Sequence, residues 1–340
     1  MKMKNLTRIG LLVLLIAISL VSCKKEIKEE TKLPDGTALK NLIKEKRADK
    51  TQEFVVDMSD PFGVDITGEQ GTIVKFFPGQ LKDKLGNIVT GNIDVTLLEI
   101  YSKADMLLMN KSTMGKLPSG DHAMLDSGGE ILLKASQNGE ELEINGGLTV
   151  QFPVDNTGGA DTGMELFESC EKCEDDCGDD IICKKDVWAV VDDTTQAGTG
   201  GGIMVDTGGV GPVYYSAFVQ NFGWTNVDRF YSFAGVKTTL LVDAPTEYDN
   251  LNCAIYISYD GEATALGSLD TYIETTELFT EHYGQIPVGL DIHIIAVSII
   301  DGDYYYTIKA VTTAAGATIV LDDLMPTTES ALIAEINNLP

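Results

Sequence analysis

From Glu53 onward, apolar residues recur at alternate positions in short runs that glycine, asparagine or proline interrupts, which is the period of strands with one buried face. GTIVKFFPGQL (71–81) is rich in β-branched and aromatic residues, and GNIDVTLLEIY (91–101) places Ile93, Val95 and Leu97 on one face. GEILLKAS (129–136) and GEELEINGGLTVQFPV (139–154) follow, the second broken by Asn145-Gly146. Another series starts near Lys237 with KTTLLVDA, NCAIYISYDG, TYIETTELF, DIHIIAVSIIDGDYYYTIKAVTT and ATIVLDD. Within it Asp301-Gly302 separates two apolar runs, a strong local sign of a hairpin. Short strands at this spacing predict an all-β fold of two β-sandwich-like domains, residues 53–235 and 236–340. After Pro326 the period changes. Thr327 or Thr328 can cap a short C-terminal helix whose Leu332, Ile333, Ile336 and Leu339 form one apolar stripe.

The regions outside this pattern set the remaining organisation. Lys2, Lys4 and Arg8 precede an uncharged apolar run from Ile9 to Leu20, about half of the ~20 residues that a membrane-spanning helix needs. Residues 1–22 therefore read as the signal peptide of an exported chain. Residues 23–52 hold few apolar positions and no sustained helical stripe. Nine Lys/Arg and six Asp/Glu lie between Lys24 and Lys50, so a flexible tether is expected there. Residues 196–212 are glycine-rich and almost uncharged. No Gly-Lys-Ser/Thr follows and no dinucleotide fingerprint is present, so they read as a long loop and not a phosphate cradle.

Charge narrows the classes further. Residues 51–340 hold 13 Lys/Arg against 46 Asp/Glu, a net of −33 in a chain that totals −27. A body of that charge is soluble, is repelled by anionic lipid and cannot neutralise phosphates, which excludes nucleic acid as a partner.

The signal ends in Leu20-Val21-Ser22-Cys23, which resembles the lipobox of bacterial lipoproteins. The resemblance implies that Cys23 becomes the acylated first residue of the mature chain and that the membrane is held through lipid alone. The acids directly after it, in CKKEIKEE, look like the export tags of Bacteroidota lipoproteins, which implies an outer-membrane anchor with the body facing the cell exterior. Further on, GTIVKFFPGQLKDKLGNIVTGNIDVTLLEIYSKADMLL (71–108), LDSGGEILLKASQNGEEL (125–142) and FGWTNVDRFY (222–231) resemble a group of Bacteroidota lipoproteins. The first part is similar to the ZU-type β domain of ankyrins and netrin receptors. The likeness covers residues 68–235, followed by an Ig-like tail over 236–340, and implies a scaffold or docking module.

ESCEKCEDDCGDDIIC (168–183) belongs to an insert, residues 168–186, that departs from this pattern. Its cysteines are spaced Cys170-x2-Cys173-x3-Cys177-x5-Cys183 among seven acidic residues. A tetrahedral zinc, an iron–sulfur cluster or a redox pair would accept thiolates this close together. Outside the cytoplasm thiols are oxidised, clusters are not normally loaded, and a redox CxxC wants a βαβ context. Two local disulfides among the four are therefore expected, in any of three pairings. With eight acids, three lysines and only Ile181 and Ile182 to bury, the insert is not expected to hold a shape by packing alone. Its carboxylates are the place where Ca²⁺ would bind, although the EF-hand spacing is absent; no other cofactor is implied.

The remaining reactive groups are few. Cys253 lies in a strand pattern and is expected to be a buried free thiol. Asp161-Thr162-Gly163 and Asp206-Thr207-Gly208 have the form of aspartic-protease loops, but only 45 positions separate the two aspartates and glycine-rich turn chemistry explains both. His122, His282 and His293 show no metalloprotease spacing, and no GxSxG elbow occurs. Trp188 and Trp224 sit in strand patterns and are expected in the core. The expected function is a non-enzymatic binding or scaffold module with an envelope protein or a glycan as partner. The alternative is an extracellular glycan hydrolase working through two carboxylates.

Overall fold

A computed structural model of the chain describes residues 32–169, 178–191, 203–205 and 212–340. The alternating segments form two large sheets in the first half, with Leu81–Lys82 and Glu143–Ile144 making a separate two-stranded one. One runs Gln52–Asp57, Asn92–Ile100, His122–Gln137, Gly223–Phe230, Glu165–Ser169, Trp188–Val190 and Met114–Lys116. Its last strand returns to pair with the start of His122–Gln137, at Met114↔Met124, so this part of the sheet curls back on itself. The other sheet runs Met204–Val205, Tyr214–Val219, Leu148–Pro153, Ile73–Phe76 and Val64–Thr67. Ile93, Val95, Leu97, Ile131 and Leu133 of the first sheet meet Val74, Phe76, Val150 and Phe152 of the second in one buried cluster. The period-two reading of those segments is what assembles this sandwich.

The second half repeats the arrangement. One sheet runs Leu266–Ser268, Cys253–Tyr259, Asp291–Ile300, Asp303–Thr312 and Met325–Thr327; another runs Thr271–Ile273, Leu278–Thr280, Leu241–Asp243 and Thr318–Val320. Asp301 (φ +53°) and Gly302 (φ +87°) form the expected tight turn, with Ile300 opposite Asp303. Ile292, Ile294 and Ala296 point into the cluster shared with Val242, Phe279 and Ile319. Ile295, Val297 and Ile299 point the other way. Burial on both faces is why IHIIAVSII reads as a nearly continuous apolar run, interrupted at His293 and Ser298.

That outward face supplies the first departure from the expected organisation. The boundary at 235/236 separates sheets, yet Leu33–Pro340 forms one compact unit. Leu98, Ile100, Leu125, Phe167, Trp188 and Trp224 from the first half share a third cluster with Ala254, Tyr256, Ile295, Val297 and Tyr304 from the second. The two sandwiches are thus joined through a common apolar layer.

Helices complete this layer, and one of them corrects the tether. Residues 36–50, expected to be flexible, form α1 (Gly36–Lys50), so any tether is confined to the residues before it. Asp35 caps the helix by accepting from Ala38 N–H at 2.9 Å, and Asp35 N–H donates to Ile299 O at 2.8 Å. Leu39 and Ile43 are buried, with Ala38 and Leu42 packed beside them. Their spacing makes a stripe only two turns long, too short to stand out among the lysines. Burying each of the two contributes about 1.5–3 kcal/mol. α2 (Lys103–Leu108) follows the strand Asn92–Ile100. α3 (Glu329–Asn337) is the expected C-terminal helix, capped by Thr328 and burying Leu332 and Ile336. Ala104 N–H of α2 donates to Asn337 Oδ1 of α3 at 3.1 Å.

Candidate functional site

Polar residues are not excluded from the shared layer. Trp224, Asn226 and Asp228 lie on one face of Gly223–Phe230, where strand alternation places them, and Glu130 is the cross-strand partner of Asn226. All four are buried. The ladder carries a bulge between Asn226 and Asp228, opposite Ser127 and Glu130. Gly129 lies in that stretch at φ +127°, where a Cβ would stand 2.3 Å from the Tyr101 ring.

The bulge organises a short relay of hydrogen bonds. Gly129 N–H donates to Ser127 Oγ at 3.1 Å, Ser127 Oγ–H donates to Asn226 Oδ1 at 3.1 Å, and Asn226 Nδ2 donates to Asp228 Oδ2 at 2.5 Å. Both Glu130 oxygens and Asp228 Oδ1 have no hydrogen-bond partner. Burial, reinforced by the charge of Asp228, pushes the Glu130 carboxyl well above the usual range. Burial does the same to Asp228, with the charge of Asp126 adding to it.

Beside the acids sits a buried cation. Lys111, 1 % exposed, donates to Asp186 Oδ1 and to Ser169 Oγ. Its Nζ also lies 4.4 Å from the Trp188 ring centre and 4.8 Å from that of Trp224, and the two indoles meet edge to face at 6.3 Å. Arg47 of α1 approaches Trp224 as well, its guanidinium carbon 5.6 Å from the ring centre, while Nε and Nη2 donate to the carbonyls of Met109 and Asn110. The chain's own lysine occupies this aromatic box.

The same residues fasten the described end of the cysteine insert. Asn110, at φ +48°, donates to Ile181 O at 2.8 Å and accepts from Tyr256 O–H at 2.7 Å, joining the insert to both halves. Ile181 N–H donates to Asn250 O, Asn250 Nδ2 donates to Asp180 Oδ1, and Lys40 Nζ donates to Gly178 O. Ile181 is buried in the shared layer and Ile182 packs against it. Packing therefore contributes to the insert's shape, contrary to expectation, because a neighbouring apolar layer receives the one pair of isoleucines. A cleft of about 290 Å³ opens between Lys40, Lys44 and Arg47 on one side and Asn110, Asp180 and Asp186 on the other.

The expected sites fall as follows. Cys23, Cys170, Cys173 and Cys177 lie outside the described residues. Cys183 is described and is not a free thiol. Cys253 is free and buried, and burial pushes its thiol far above the usual range. Trp188 and Trp224 are core residues. Asp161 accepts from Gly163 N–H at 2.7 Å in a local turn and pairs with Arg229 Nε at 2.6 Å; Asp206 lies outside the described residues. His122 Nδ1 and His282 Nδ1 stand 3.7 and 3.4 Å from Asp270, and His293 Nδ1 is 2.7 Å from Asp260.

Two carboxylates influence each other near the surface. Asp126 is held by Arg229 Nη2 at 2.7 Å; burial raises its carboxyl above the usual range, and burial together with the charge of Asp126 does the same to Glu262.

Lys111, Glu130, Asn226, Asp228 and Arg47 were not singled out from the sequence. A readable sign existed for Asn226 and Asp228, which alternate with Val227 and share a strand face with a tryptophan. No family model matches the chain, and no curated protein matches it.

Proposed function

We propose that the chain is a lipid-anchored outer-membrane protein of a Bacteroidota-type envelope, facing the cell exterior and acting as a non-enzymatic binding or scaffold module of the ZU-like class. The observation that carries this reading is the lipobox Leu20–Cys23 standing twelve residues before Asp35, the cap of a helix packed into the body. A segment of that length spans at most about 40 Å, which keeps the body near the membrane surface. Two disulfides within the insert belong to the same proposal, since an exported chain meets an oxidising compartment. The partner is an envelope protein or a glycan. For a glycan, the concave surface is the open cleft of about 430 Å³ that Lys82, Lys134, Glu141, Glu143, Asn221 and Phe222 help to line. It combines amide, charged and aromatic groups, as ligand clefts do.

Intact mass of the protein from its own membranes tests the anchor. An N-terminus at Cys23 carrying diacylglycerol is expected, and a retained Met1 without lipid overturns it. Mapping without reductant is expected to show two bridges among Cys170, Cys173, Cys177 and Cys183. Four free thiols with one bound zinc overturn the disulfides. Cross-linking on intact cells, followed by purification, is expected to recover one reproducible envelope protein or glycan with the chain; recovery always alone overturns the binding role.

A further inference from the structure

Two of the chain's three histidines converge on one carboxylate, and they come from different halves. Asp270, 8 % exposed, stands just before the strand Thr271–Ile273. His122, 9 % exposed at the start of His122–Gln137, brings Nδ1 to 3.7 Å from Asp270 Oδ2. His282, 43 % exposed, brings Nδ1 to 3.4 Å from Asp270 Oδ1. Tyr283 packs against both imidazoles, its ring centre 4.2 Å from that of His122 and 3.9 Å from that of His282, and its hydroxyl donates to Asp270 Oδ2 at 3.0 Å. The loop is braced to hold this arrangement. His282 sits at φ +47°, where residues with a side chain are uncommon, and its N–H donates to Thr280 Oγ1 at 2.9 Å. Glu281 accepts from Leu240, Tyr283 and Gly284 N–H at 2.9, 2.8 and 3.0 Å.

Hydrogen-bond capacity fixes one tautomer. Thr271 Oγ1 lies 2.9 Å from Asp270 Oδ1 and 2.8 Å from His282 Nδ1, with one proton to give. A carboxylate only accepts, so the hydroxyl donates to Asp270 and receives His282 Nδ1–H. The next proton on His282 therefore enters at Nε2. The other charged groups around the cluster are Asp121, Glu281 and Lys116. Asp121 accepts from Ser119 Oγ at 3.0 Å, Glu281 holds its three amides, and Lys116, cross-strand from His122, is exposed.

We propose that His122, His282 and Asp270 are a proton-dependent clasp between the two halves, in which imidazoles that take up protons are held by the one carboxylate they share, and mild acid tightens the Tyr283 loop against the first half. Each uptake adds one N–H and takes its proton from water. No other covalent bond changes. At 3.7 Å the neutral His122 ring is beyond hydrogen-bond length and contributes little, whereas the charged ring is attracted to Asp270. The attraction is present on the acid side of an imidazole titration and lost above it. One carboxylate balances one imidazolium, so the two rings titrate as a coupled set. The shared apolar layer joins the halves with or without the protons, and the clasp adds to it.

A double-mutant cycle on the full chain tests the clasp, with urea midpoints of the parent, His122→Gln, Asp270→Asn and the double variant at about pH 5.5 and about pH 8. Coupling between the two positions is expected at the lower pH, equivalent to at least about a threefold change in the folding equilibrium, and is expected to vanish at the higher. Coupling of equal size at both values, or at neither, overturns the proposal. Should a variant not fold, imidazole NMR of the unaltered chain decides, since only three histidines need assignment. The His122 signal is expected to move in two steps, one of them coinciding with the titration of His282. Single, independent steps for the two rings overturn the idea.

Discussion

At the scale of single residues, the shared layer depends on a few polar side chains whose partners come from distant parts of the chain. Lys111 is held by an aspartate 75 positions later and by two indole faces. Replacing it by methionine keeps much of the volume but leaves Asp186 without its cation. Loss of one member of a buried pair typically costs about 3–5 kcal/mol. Urea unfolding of Lys111→Met is expected to show a loss of that order, and adding Asp186→Leu is expected to restore most of it. Equal losses in the single and double variants would mean that the pair is not coupled. Gly129→Ala is expected to cost about 2–4 kcal/mol, because the new Cβ would enter the Tyr101 ring from a backbone region that alanine avoids. Neither position announces itself in the sequence: a lysine after a short helix and a glycine in a Gly-Gly pair are each common on surfaces. Burial of Trp188, Trp224 and Cys253 was legible, because each interrupts an apolar strand pattern that already fixed which residues lie inside.

At the scale of elements, legibility followed the length of the periodic signal. α3 was visible through a cap and four apolar positions over eight residues, and its Thr328 and Ile336 take the expected roles. α1 has an equally good cap in Asp35, but its apolar positions Leu39, Leu42 and Ile43 are followed by Arg47, whose partial burial only the tertiary fold explains. High charge with few apolar positions and no sustained stripe therefore misassigned a packed helix as tether. Leu39→Ala and Ile43→Ala are each expected to cost about 2–5 kcal/mol in thermal or urea unfolding, and Asp35→Ala about 1 kcal/mol. A true tether would leave all three variants as stable as the parent. The same distinction bears on the joining of the two halves. Ile295, Val297 and Ile299 read as one face of a buried strand, but a strand buried on both faces does not say whether its second cover is a helix of its own domain or a neighbouring sandwich.

At the scale of the whole molecule, the buried acids make stability fall as pH rises. Burial raises Glu130 and Asp228 well above the usual carboxylate range, and raises Asp126, Glu168, Glu262 and Glu281 as well. Below about pH 4 these groups are protonated in both folded and unfolded chains, so they contribute no slope. As pH rises past that point the unfolded chain releases its protons first while the folded chain retains them, and the folded state becomes less stable with each step until the raised values are passed. Self-repulsion in a body carrying a net of −33 acts in the same direction. Urea midpoints are therefore expected to fall steadily from about pH 5 to about pH 9. Added salt should relieve the surface repulsion but leave the buried contribution, since interior groups are screened far less. Asp228→Asn and Glu130→Gln together are expected to flatten most of the slope that survives in high salt, and to raise stability at neutral pH, because an amide needs no proton to be neutral. A slope abolished by salt alone, or unaltered in the double variant, would place the pH dependence on the surface and leave the interior acids without a part in it.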